Sequence, residues 1–303
     1  MQGNRARTRR HPALTAIVTG LLASLTGVGT ASAKSDGCPS EMVRVGNACV
    51  DRWEGSLVET LADGSEQPWS PYTPPTGHRV RAISRAGVVP QAHISYYDAK
   101  LACQHSHKRL CRADEWVRAC KGPEHTRWPY GDDYVAGACV DYGRTPATYI
   151  YHPGRAAISY EGMNDPRVNM TPNTVALTGS ANQCTNEYGA FDMVGNLHEW
   201  AGDGRFHGGY YLDTKKNGSG CDYVTSAHNG VYYDYSTGFR CCADAGTLDD
   251  ADDADDADAE IEPALASVGR LDRALEQIAH ASIEQVTRHR ALAGMIAGLC
   301  TGV

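Results

Sequence analysis

A chain of 303 residues with 42% hydrophobic and 21% charged side chains holds one substantial globular domain plus appendages, and its composition does not fit a collagen, a coiled-coil rod or a wholly disordered chain. The net charge of −8 argues against nucleic acid as a partner, because phosphate binding needs a basic stripe and none is visible. The 16 Tyr and 5 Trp against 3 Phe give nearly every ring a polar handle, and the 11 Cys raise the question of compartment.

The first segment reads as a secretory signal over residues 1–33. Arg5, Arg7, Arg9 and Arg10 form a basic start, residues 13–29 are moderately apolar, and Ala31-Ser32-Ala33 offers small residues for cleavage. The apolar run is short for a membrane span, with an uncleaved anchor as the alternative. Lipidation at Cys38 is disfavoured by the polar Lys34-Ser35-Asp36-Gly37 ahead of it. No later stretch is long and apolar enough to span a bilayer. The expected product is exported, periplasmic or extracellular, with cysteines in an oxidising compartment.

Residues 34–246 are rich in Gly and Tyr, and helical period is clear in two places. One is Tyr96 to Gln104; the other is Ala113 to Ala119, where Asp114 and Glu115 suit the positive end of a helix dipole. Residues 122–190 are turn-rich without sustained periodicity. These features predict a loop-rich α+β domain that leans on cross-links.

Residues 247–263 form an acidic linker built on Asp-Asp-Ala repeats, and residues 249–262 carry nine carboxylates without a base. Nothing larger than Ala interrupts the repeat, so the segment cannot offset its ordering entropy by burial. Carboxylates are hard ligands for Ca²⁺, but nothing here fixes a coordination geometry. With +4 in the signal, −9 in the acidic run and +1 after it, only −4 falls on residues 34–248. Over residues 264–303, Leu265, Val268, Leu271, Leu275, Ile278, Val286, Leu292, Met295, Ile296 and Leu299 recur at threes and fours. They predict an amphipathic helix or helical hairpin that docks on its own domain or self-associates. Cys300 in this tail could link two chains.

Within the central domain, the strings Ile94 to Ala99, Lys108-Arg109-Leu110, Ala113 to Trp116, Trp128 to Gly131, Tyr188 to Trp200, His207 to Tyr210 and Gly238-Phe239-Arg240 occur in that order. Together they resemble the formylglycine-generating enzyme family, the sulfatase-modifying factor domain, over roughly residues 40–243. The resemblance implies a disulfide-stapled variant of the C-type lectin-like fold. Trp116, Trp128 and Trp200 read as core anchors in a domain poor in Phe.

The same resemblance implies that Cys103 pairs with Cys241 and Cys120 with Cys221. Cys38 and Cys49 form a natural local pair, and the remaining cysteines are assigned as Cys139 with Cys184 and Cys111 with Cys242. Neighbours Cys241 and Cys242 would point to opposite faces of an extended strand, which suits two partners. Sequence alone leaves connectivity open. A rival reading makes Cys103, His105, His107 and Cys111 a zinc site, but no C-x-x-C pair is present.

Oxidising members of that family use a copper-binding cysteine pair shortly after a Gly-Gly segment, since Cu(I) needs soft thiolates. Here the segment runs Gly208-Gly209-Tyr210-Tyr211-Leu212-Asp213 to Cys221, with Asp213 and Asn217-Gly218 near the thiol positions. The resemblance therefore does not extend to copper or to the oxidase activity. Asp213, His198 and His207 are the candidates for other catalysis, each weighed against a structural role. The resemblance also implies a Ca²⁺ at the Gly-Asn-x-x-Glu turn, with oxygens from Val194, Asn196, Leu197 and Glu199. Tyr210, Tyr211 and Asp213 are the expected ligand surface, for an exported protein or a glycan. The alternative is an enzyme of the same family with different chemistry, an oxidoreductase or a modifier of exported proteins.

Overall fold

A computed structural model describes residues 37–142 and 147–247. The signal segment, the linker beyond Thr247, the helical tail and Cys300 lie outside the described residues. The chain opens with strands β1 (Met42–Val45), β2 (Ala48–Asp51), β3 (Gly55–Thr60), β4 (Glu66–Pro68) and β5 (Val80–Ser84). Helix α1 (Tyr96–Gln104), strand β6 (Arg109–Leu110) and helix α2 (Ala113–Lys121) follow. The short helices α3 (Thr148–Tyr151), α4 (Tyr160–Met163) and α5 (Arg167–Met170) come next, with a 3-10 turn at Gly154–Ile158. The chain returns through β7 (His198–Trp200), β8 (Phe206–His207), β9 (Val224–Thr225), β10 (Thr237–Phe239) and β11 (Cys241–Asp244).

The strands form three small sheets, ordered β1-β2-β11-β6, β10-β7-β8-β9 and β4-β3-β5. Pairing is antiparallel except for β10 with β7, where Gly238 lies opposite Glu199. The two predicted helices are present and their caps explain their limits. Ser95 Oγ accepts the Asp98 N–H at 3.1 Å to start α1, and Glu115 reaches back to the Arg112 N–H at 2.9 Å to start α2. At the far end of α2, Asn186 Nδ2 donates to the Ala119 and Cys120 carbonyls at 2.8 and 2.9 Å. This satisfies orphan acceptors before the turn at Gly122. Helices α3 to α5 were not foreseen, and each is a single turn of four residues.

Two main cores sit on either side of β7 and β11. One gathers Val43, Val50, Trp116, Trp128 and Met193 around three disulfides; the other gathers Leu57, Ile94, Trp200, Phe206 and Phe239 around a fourth. Trp116, Trp128 and Trp200 are all buried, as anchors should be. Strand alternation accounts for the division. Cys241 joins Cys103 on the α1 side, and Cys242 joins Cys111 on the α2 side. Cys38–Cys49, Cys120–Cys221 and Cys139–Cys184 are also bonded, so the ten described cysteines are all paired. Cys103 and Cys111 are therefore unavailable to zinc, which removes the metal reading of that segment. Phe239 lies so close to Gly55 that a Cβ there would sit 2.5 Å from its ring, so any side chain would part β3 from this core. Among the described residues no helix is long and apolar enough to cross a membrane.

Candidate functional site

Strand β7 delivers alternate residues to two environments. Glu199 points to the α2 side and meets Arg240, whose Nε and Nη2 donate to it at 3.0 and 2.8 Å. Trp116 Nε1 adds a third donor at 2.7 Å. The other guanidinium contacts are the carbonyls of Asp51 and Phe191, at 2.8 and 2.7 Å. Glu54 lies in the same interior, accepting from Asn196 Nδ2 at 2.6 Å and from the Leu197 N–H at 3.2 Å. Burial first, then the charges of Asp192 and Glu199, push the Glu54 carboxyl well above the usual range. Burial likewise raises Asp192 to about 6, against hydrogen bonding from the Gly179 N–H and the pull of Arg240.

This arrangement does not fit the calcium ion expected at Val194, Asn196, Leu197 and Glu199. Both Glu199 oxygens are occupied by Arg240 and Trp116. The Asn196 side-chain oxygen accepts the Ala176 N–H at 2.8 Å, and its backbone oxygen accepts the Tyr211 N–H at 3.0 Å. Glu199 is thus the counter-ion of Arg240, and the turn is held by hydrogen bonds.

The raised Asp192 carboxyl gives a pH-dependent prediction. A folded-state value above the unfolded one contributes stability below about pH 4, and that contribution disappears as pH rises through about 6. Asp192 has φ +58°, a conformation that Asn tolerates, and Asn can still accept from Gly179. Asp192→Asn should therefore match the wild type near pH 4 and exceed it by about 2 kcal/mol at pH 8 in urea unfolding. A deficit at pH 8 would contradict the account.

His198, on the opposite face of β7, lines a pocket of about 180 Å³ with Tyr210, Asp213, Asn217, Tyr223, His228 and Ser236. Hydrogen bonds on both ring nitrogens hold its imidazole. Asp234 accepts the Ser236 hydroxyl at 2.7 Å, so Ser236 Oγ accepts from His198 Nδ1 at 3.3 Å. His198 Nε2 lies 3.3 Å from the Tyr223 hydroxyl, whose proton is shared with the Asp213 carboxylate and whose oxygen accepts from Asn217 Nδ2 at 3.1 Å. Burial pushes the His198 pKa down to about 3 despite the nearby Asp213 charge, so the ring is neutral at physiological pH. Tyr210 stacks on it at 4.6 Å, and burial pushes that phenol up to about 12.

The Tyr210–Asp213 turn forms the rim. Tyr210 and Asp213 exchange backbone hydrogen bonds at 3.0 Å, and Asp213 Oδ1 caps the N–H groups of Lys215 and Lys216 at 2.9 and 3.0 Å. Gly209 enters the turn at φ +72°, where a Cβ would lie 2.3 Å from the Asp213 carbonyl oxygen; only glycine fits. No cysteine lines the pocket, and Cys221 is bonded to Cys120.

Of the predicted site residues, the fold brings together Tyr210, Asp213 and His198. It turns His207 away from them and buries Tyr211 behind Tyr210. In the β7–β8 register His207 is opposite Glu199, which turns its ring toward Trp116 at 5.1 Å, away from the pocket. Tyr211 is a core residue, not part of a ligand surface: it packs with Ala147, Val168 and Tyr235 and is 1% exposed. The two rings meet edge-to-face at 5.4 Å, with Tyr211 buried behind Tyr210, and of the two only Tyr210 lines the pocket. Sequence reasoning missed Tyr223, Asn217, Ser236 and Asp234. The Asp234-Tyr235-Ser236 string is a recognisable Asx-turn signal, but its histidine partner is 38 residues away.

A family model for the sulfatase-modifying factor enzyme 1-like domain matches residues 48–245. Similar solved structures include the U1 variant of the Major Tropism Determinant, at 14% identity and TM-score 0.39, covering 68% of this chain and 53% of that one. The P3c variant gives 14% identity and TM-score 0.40 over the same shares, so the chain spans about half the length of these structures. A structure named CarF is 16% identical with TM-score 0.33, covering 65% of this chain and 86% of that one. A search of the curated proteins returned no match.

Proposed function

Because the chain belongs to the sulfatase-modifying factor enzyme 1-like family, we propose that it is an exported binding or scaffolding member from which the copper-binding cysteine pair has been lost. The observation that carries this reading is the pocket beside the Gly208-Gly209 turn. Asp213 and Asn217 line it where the resemblance would place thiols, and the ten described cysteines are all in disulfides. Five disulfides suit an oxidising compartment, in keeping with a signal over residues 1–33. The partner is an exported protein or a glycan, read by the aromatic and acidic rim of Tyr210 and Asp213. The polar cluster of His198, Tyr223 and Asp213 in this pocket favours a second reading, an enzyme of this family with different chemistry, an oxidoreductase or a modifier of exported proteins.

The purified chain, supplied with Cu and O₂, should leave a Cys-type sulfatase peptide unchanged by mass spectrometry. Appearance of the formylglycine aldehyde would overturn the loss of oxidase chemistry. On a printed glycan array, Tyr210→Ala should weaken any retained binding about tenfold. Equal binding by both proteins would remove the pocket from the proposal.

A further inference from the structure

Among the described residues the exposed large apolar side chains fall between Tyr134 and Leu177, apart from Leu61. Their densest group is Tyr149 and Ile150 on α3, Ile158 on the 3-10 turn, Tyr160 on α4 and Met170 on α5, between 47% and 66% exposed. These short elements pack on one another, so the five side chains occupy one locus on the surface. A contiguous apolar patch on an exported domain marks a contact surface.

We infer that residues 264–303 of the same chain cover this patch as an amphipathic helix. Leu265, Val268, Leu271, Leu275 and Ile278 form an apolar stripe that needs a matching face. Sixteen residues separate Thr247 from Ala264, enough for about 50 Å when extended. A domain of this size has a radius of gyration of about 17 Å, so the tether reaches a distant face. Its nine carboxylates repel one another, and a charged linker of that kind favours extension. Arg155, exposed on the 3-10 turn of the patch, offers a positive charge to that linker, whereas Arg167 is paired with Asp165. A tethered tail acts at an effective concentration on the order of millimolar, far above that of a second copy in dilute solution.

The test places the photoreactive residue p-benzoylphenylalanine at Ile158 of the full chain. Irradiation in dilute solution should give an intrachain adduct to a peptide from residues 264–303. Leu271→Asp with Leu275→Asp should lower its yield about tenfold, while a probe at Leu61 should give none. Adducts only between chains, adducts only within the domain, or no tail adduct at all would each overturn the inference. Equal tail labelling from Leu61 and Ile158 would do the same.

Discussion

Arg240→Met is expected to lower the stability of the domain by about 3–5 kcal/mol, because it strips the counter-ion from a buried carboxylate. Arg240 is fully buried, and Glu199 beside it is 1% exposed. The guanidinium donates to Glu199 and also satisfies the Asp51 and Phe191 carbonyls, so it joins β2 and β7 to the turn before Asp192. Methionine fills similar volume but leaves the buried Glu199 carboxylate without its counter-ion, beside the carboxyl groups of Glu54 and Asp192. Arg240→Lys should also destabilise, since an ammonium cannot reproduce the bidentate fork. Urea unfolding followed by the fluorescence of buried Trp116 and Trp200 measures the loss. The double variant Arg240→Met with Glu199→Met should recover part of it by removing both charges, though Trp116 Nε1 then lacks its acceptor. A double variant as unstable as the sum of the singles would show that the pair does not act as a unit.

What was legible in the sequence follows from the range of each interaction. Helices α1 and α2 announce themselves through local signals: nine residues each, long enough for a period to show, and Asp114 and Glu115 in the first turn of α2. The opposite directions of Cys241 and Cys242 follow from strand geometry alone. Helices α3, α4 and α5 are one turn long, and one turn carries no periodicity. The pocket is assembled from segments 25 and 38 residues from His198, joined through side-chain hydroxyls, so no local pattern encodes it. Glu199 shows the limit of a motif most clearly. Its place in the Gly-Asn-x-x-Glu string suggested a metal ligand, whereas its environment is set by Arg240, 41 residues on.

Removing the Cys103–Cys241 and Cys111–Cys242 disulfides should have non-additive effects, differing by about 1 kcal/mol between backgrounds. They close nearly the same loop, with sequence separations of 138 and 131 residues. The intact Cys120–Cys221 bridge short-circuits that loop to about 40 residues, so in the chain-entropy account either one alone restricts the unfolded chain by about 4 kcal/mol. With one in place, the other closes only a ring of about ten residues, made of residues 103–111 and the Cys241-Cys242 step, for about 3 kcal/mol. Cys103→Ala with Cys241→Ala should therefore cost about 3 kcal/mol in the wild-type background. The same change should cost about 4 kcal/mol in a chain already carrying Cys111→Ala and Cys242→Ala, where Cys120–Cys221 still shortens the loop. Each pair is fully buried, so lost packing adds to both figures without removing their difference. Urea unfolding of the wild type, the two pairwise variants and the quadruple variant completes the cycle. Equal costs in the two backgrounds would mean that the bridges act through native packing alone; the larger cost in the second background identifies the shared loop as what they restrain.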